Sequence, residues 1–128
     1  MNPAAQGKVY PDVEFDLDPS LVRGFAALFG DPGAVPPTIL TAAEFAVIPA
    51  IVDDPELGID FTRVVHGSQE YEYRRPLVVG ERLLARARLA SIRRRGGADF
   101  LTIETELVDR GGMVAAVCRS LMIERGAP

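Results

Sequence analysis

The chain has 128 residues and a mass of 13.8 kDa, which suits one domain and leaves no room for a separate cofactor-binding domain. With 48% hydrophobic and 25% charged residues it reads as an ordinary globule, not a disordered or fibrous chain. Ten acids against Lys8 and Arg23 give residues 1–61 a charge of −8, and twelve arginines against eight acids give residues 62–128 a charge of +4. The net −4 argues against nucleic acid as the main partner, because phosphate binding favours a basic surface.

A domain of this size buries roughly two thirds of its unfolded surface and needs neither metal nor disulfide to fold. The single cysteine, Cys118, excludes an internal disulfide framework and points to a reducing, cytoplasmic setting. Residues Met1 to Lys8 lack an apolar centre, and no apolar run reaches the length of a bilayer span, so a chain neither secreted nor membrane-embedded is expected.

From Val9 to Leu17 the residues alternate, with Val9, Pro11, Val13, Phe15 and Leu17 on one side, which predicts a half-buried strand. Asp18-Pro19 supplies an N-cap followed by proline at the first helical position. Leu21, Val22, Phe25, Leu28 and Phe29 then share one face of a helix over about 19–29 that stops at Gly30-Asp31-Pro32-Gly33. The next segment, Pro37 to Pro49, is apolar in nearly every direction, with Glu44 its only charge, so it predicts an enclosed helix kinked or ended by Pro49.

Beyond Asp60 the period changes to that of strands. Val65, Gly67, Gln69, Tyr71 and Tyr73 fall on one side of the first, and His66, Ser68, Glu70, Glu72 and Arg74 on the other. Strands over about 83–92 and 100–108 flank the turn Arg93 to Ala98. Centred on Gly96, that hairpin sets Arg88 against Glu104, Arg86 against Glu106, Leu89 against Ile103 and Ala85 against Leu107. Asp109 to Gly112 makes another turn before a closing strand from Met113 to Glu124. One α+β domain over 1–128 is expected, a curved antiparallel sheet wrapped around one central buried helix, which is the hot-dog fold.

Ala34-Val-Pro-Pro-Thr38 and the run from Val65 through Gln69-Glu-Tyr-Glu-Tyr-Arg-Arg-Pro to Arg82 resemble the MaoC-like dehydratases, in particular their FAS1-like branch. Gly7-Lys-Val-Tyr-Pro11 and Cys118-Arg-Ser-Leu-Met122 extend the resemblance over nearly the whole chain. It implies hot-dog dimers, homo- or heteromeric, that interconvert (3R)-hydroxyacyl and trans-2-enoyl thioesters. No cofactor is implied beyond the coenzyme A or acyl-carrier-protein phosphopantetheine that carries the acyl group, and no metal. Catalytic relatives have the motif G-D-x-N-P-x-H between the helices, a histidine and a carboxylate serving as the acid and base that dehydration requires. This chain starts the motif at Gly30-Asp31 and departs from it, with Pro36 where the motif places histidine. It thus resembles the subunit that, in several such dehydratases, shapes the acyl channel while its partner performs the chemistry, or else a divergent enzyme using other groups.

Three residues are candidates for chemistry. Asp31 reads as a remnant base or as the Asx residue of a Gly-Asp-Pro-Gly turn. His66, the only histidine, reads as a structural or interface residue or as a group reaching a site across a dimer. Glu44 reads as a catalytic acid of the kind other hot-dog enzymes place on this helix, or as a carboxylate bonded to Thr41. Tyr71 and Tyr73, with Leu89 and Ile103, are expected in the acyl tunnel. Arg86 and Arg88 read as members of a self-neutralised ladder, whereas Arg93, Arg94 and Arg95 are expected to receive the phosphates of coenzyme A or an acidic carrier protein. Two other functions remain open: a thioesterase using Glu44 or Asp31, and a non-catalytic acyl-thioester-binding module.

Overall fold

The sheet is organised by the hairpin of β3 (Arg82–Arg95) and β4 (Ala98–Val108). In the computed structural model, which describes residues 1–29 and 35–126, these strands turn through Gly96-Gly97, with φ of 59° and 78°. Two successive positive φ values suit a two-residue turn that only glycine enters without strain. Arg88 faces Glu104, Arg86 faces Glu106, Leu89 faces Ile103 and Ala85 faces Leu107, as the charge and hydropathy pattern requires. The turn alone would displace all four pairs by one residue. A bulge at Ala90, between Leu89 and Ser91, restores them, and β3 and β4 extend closer to the turn than alternation alone suggests.

β5 (Val114–Glu124) pairs with β4, β2 (Val64–Tyr73) with β5, and β1 (Val13–Asp16) with β3, all antiparallel. The order β1-β3-β4-β5-β2 leaves β1 and β2 as edges of an open, curved sheet. A 3-10 turn at Pro37–Ile39 leads into α2 (Leu40–Val52), which packs against β1, β3 and β5. Leu40, Ala43, Val47 and Ile51 from α2 join Leu89, Leu101, Ile103 and Leu107 from the sheet in one core. This is the hot-dog arrangement. Helix α1 (Pro19–Phe29) occupies the expected range and is capped by Asp18, whose Oδ1 accepts from the Ser20 N–H at 2.7 Å. Val22 and Ala26 are buried among its described side chains, while Leu28 points to solvent, 79% exposed.

Four local expectations are corrected. The strand pattern from Val9 does not run unbroken into β1: Val9 makes only an isolated bridge to Arg88, Val9 and Pro11 are exposed, and Tyr10 is buried. The Tyr10 hydroxyl donates to Asp54 at 2.7 Å, and this long-range bond outweighs the local alternation. Pro49 neither ends α2 nor faces the core. The position four residues earlier, Phe45, is open to solvent, where water can reach a carbonyl that proline leaves without a donor. Nor is α2 fully enclosed, since Phe45, Ala46, Pro49 and Ala50 form an exposed apolar stripe, with Phe45 68% exposed.

The fourth correction concerns β2. A bulge between His66 and Ser68 pairs His66 with Met122 and Ser68 with Leu121, leaving Gly67 as the extra residue. A Cβ there would stand 3.0 Å from Ile123 Cδ1 and 3.1 Å from Leu121 Cδ2, tight enough to favour glycine. His66 therefore shares the sheet face of buried Met122, opposite to that of Ser68 and Glu70, and is exposed because β2 is an edge.

Candidate functional site

After the bulge, Gln69, Tyr71 and Tyr73 turn inward from β2 and are half-buried, alternating with exposed Glu70 and Glu72. Each two-residue step along a strand covers about 6.7 Å. On the facing element, one helical turn from Glu44 back to Thr41 covers about 4.5 Å, and the stretch back to Pro37 covers somewhat more. Segments stepping at comparable intervals in opposite directions meet in rungs. Gln69 Nε2 donates to Glu44 Oε2 at 3.0 Å, the Tyr71 hydroxyl bonds the Thr41 hydroxyl, and the Tyr73 hydroxyl donates to the Pro37 carbonyl.

Glu44 is 4% exposed, so its carboxylate needs hydrogen-bond donors. It obtains a second from Cys118, whose thiol donates to Oε2 at 2.9 Å, while Gln69 Nε2 lies 2.7 Å from Cys118 Sγ. Burial, then the neighbouring Glu44, pushes the Cys118 thiol up, which keeps it protonated and able to donate. Burial likewise raises Tyr73 to about 12, so its phenol remains a donor. Cross-strand from this cluster lie Thr105, opposite Cys118, and Ser120, opposite Gln69. Both hydroxyls are buried and, like that of Thr38, have no hydrogen-bond partner among the described residues.

The structure thus assembles Glu44, Tyr71 and Tyr73 along one slot between α2 and β2. Thr41 bonds Tyr71, which corrects the expectation that it holds Glu44. His66 stands on the same strand, and Asp31 lies outside the described residues. Gln69, Cys118, Thr105 and Ser120 complete the polar lining, although none is among the site residues expected from the sequence. A signal was present, because all four occupy inward positions on strands whose other inward residues are mostly apolar. No group of three potential metal ligands occurs among the described residues.

On the outer face, charges pair across strands. Arg88 and Arg119 both meet Glu104, and Arg119 also reaches Glu72. Arg86 instead pairs with Asp12 at 2.9 Å on the segment before β1, so Asp12 replaces Glu106 as its partner. Arg93, Arg94 and Arg95 lie in β3 itself, where a loop tip was expected, and Arg94 Nε comes within 3.7 Å of Asp99.

Residues 17–117 match the FAS1-like dehydratase domain region. The chain belongs to that family. It is 30% identical over 139 aligned residues to a UPF0336 protein of Streptomyces avermitilis, covering 94% of this chain and 93% of that one. It is 38% identical over 91 residues to a UPF0336 protein of Saccharopolyspora erythraea and spans 58% of that protein's length. In three dimensions it is similar to a MaoC-like dehydratase with a TM-score of 0.81 at 20% identity, covering 97% of this chain and 43% of the other. It is also similar to the C-terminally truncated HadBC (3R-hydroxyacyl-ACP dehydratase) complex of Mycobacterium tuberculosis, with a TM-score of 0.77 at 18% identity and coverage of 96% and 99%. At such identities these structural similarities speak to the fold alone.

Proposed function

We propose that this chain is the acyl-binding subunit of a (3R)-hydroxyacyl-thioester dehydratase or trans-2-enoyl-thioester hydratase, working beside a hot-dog partner that carries the histidine–carboxylate dyad. The carrying observation is the engagement of Glu44. The one carboxylate on the central helix is held by Gln69 and Cys118, while the one histidine stands on the open edge strand. General acid–base dehydration needs an imidazole and a carboxylate arranged around the same substrate carbon atoms. In this chain the slot between α2 and β2 carries, besides the already bonded Glu44, phenols, an amide, a thiol and hydroxyls. These suit orienting a thioester and its chain more than transferring protons.

The exposed apolar stripe of α2 and the unpaired edge of β2 supply the surface for the partner. A second hot-dog chain laid there would bury Phe45 and extend the sheet. The acyl group, carried on coenzyme A or on a carrier protein, would then lie between the two helices.

The test is reconstitution. This chain alone is expected to leave the ultraviolet absorbance of trans-2-enoyl-CoA unchanged, and hydration is expected once a hot-dog chain with an intact dyad is added. Turnover by this chain alone would refute the division of labour.

A further inference from the structure

The outer ladder of paired charges stops short of the β3–β4 turn. Arg93 and Arg95 are exposed there and form no ion pair among the described residues, in a protein whose net charge is −4. They border a groove of about 420 Å³ lined also by Ser91, Arg94, Phe100, Thr102 and Leu121. The register explains the lining. Ser91, Thr102 and Leu121 form one row across three strands, and Arg93 with Phe100 forms the next. Residues two apart on a strand share a face and lie about 6.7 Å apart, so Arg93 and Arg95 present two guanidinium groups at a spacing suited to two phosphates.

We propose that this groove binds a phosphorylated nucleoside. Arg93 and Arg95 would take the phosphates, Ser91 and Thr102 would offer hydroxyls to the sugar, and half-buried Phe100 and Leu121 would give the base an apolar floor. Its volume lies within the range of small-ligand sites, roughly 300–1,000 Å³. An acidic protein would need about 800 Å² on each side for stable docking, more than this groove offers. If the function proposed above holds, the ligand is the nucleotide end of coenzyme A, and that naming rests on that reading. The groove's affinity for a nucleotide does not.

The test is calorimetric titration of the whole chain at low ionic strength with adenosine 3′,5′-bisphosphate and, separately, inorganic pyrophosphate. Saturable one-site binding of the nucleotide is expected, with Arg93→Gln or Arg95→Gln weakening it about tenfold and the double variant about a hundredfold. Arg88→Gln, in the paired ladder, should change it little, and unaltered melting curves would show that the variants fold. Pyrophosphate should bind about tenfold more weakly, since it lacks a base to rest on Phe100. Absence of saturable binding, equal affinity in the double variant, or pyrophosphate binding as tightly as the nucleotide would overturn the proposal. Because the bisphosphate carries no acyl group, each result is independent of the reconstitution assay.

Discussion

Removing Gln69 exposes what the rung between β2 and α2 is worth. In Gln69→Leu the Glu44 carboxylate, 4% exposed, keeps Cys118 as a donor and loses the amide at 3.0 Å. Hydrogen bonds to charged groups contribute about 1.5–3 kcal/mol, so a loss of about 2 kcal/mol is expected. Glu44→Leu strands the amide and thiol instead and should cost a similar amount, about 2 kcal/mol, offset in part by apolar burial. In the double variant only the Cys118 thiol, a weak donor, is left without its acceptor, and apolar replacement of both stronger partners can be nearly neutral. The double variant should therefore lose clearly less than the sum of the singles, a coupling of about 1–2 kcal/mol. Unfolding entropy near 2.1 cal/mol/K per residue converts a loss of about 2 kcal/mol in a chain of 128 residues to a Tm drop of about 7 °C. Urea and thermal melts of the four proteins at one protein concentration measure the cycle. Additivity within about 0.5 kcal/mol, or a neutral Gln69→Leu, would refute the rung.

Leu89→Ala should cost about 3 kcal/mol, roughly 11 °C in Tm, because Leu89 is fully buried where α2 meets the sheet; a drop of less than about 3 °C would contradict that burial. Asp54 is held down at about 2 by bonds from Lys8 and then Tyr10, so its contribution to stability is complete above the usual carboxylate range and is lost as pH falls from about 4 towards 2. The melting difference between the wild-type chain and Asp54→Asn should accordingly shrink over that interval, and a gap constant from pH 7 to pH 2 would exclude the assignment. The Cys118 thiol, buried and pushed up first by burial, should react with iodoacetamide at neutral pH only as fast as the protein opens, and rapidly in denaturant. Fast labelling of the native chain would show the slot to be open.

Much of the fold is legible in the residues because its signals are local. The Asp18-Pro19 start places α1, and alternation of charge and hydropathy sets the β3–β4 register, since a slip by one residue would turn every side chain to the wrong face. The uniformly apolar α2 marks the centre of the sheet's inner face. Its composition also exceeds what one chain can bury, hence the exposed stripe through Phe45.

The site is less legible because its parts are distant in sequence. Glu44 stands out as a lone charge in an apolar run, yet nothing nearby indicates that Gln69 and Cys118, 25 and 74 positions away, supply its donors. The bulge at Gly67 shows the limit most clearly. Strict alternation puts His66 beside Ser68 and Glu70, whereas one extra residue, accommodated against Leu121 and Ile123, sends it to the opposite face. Sequence by itself determined which segments become strands or helices and which faces are apolar, because those preferences act over a few residues. Only tertiary structure decided which polar side chains meet across the slot, because that depends on bulges and long-range pairing that no local pattern encodes.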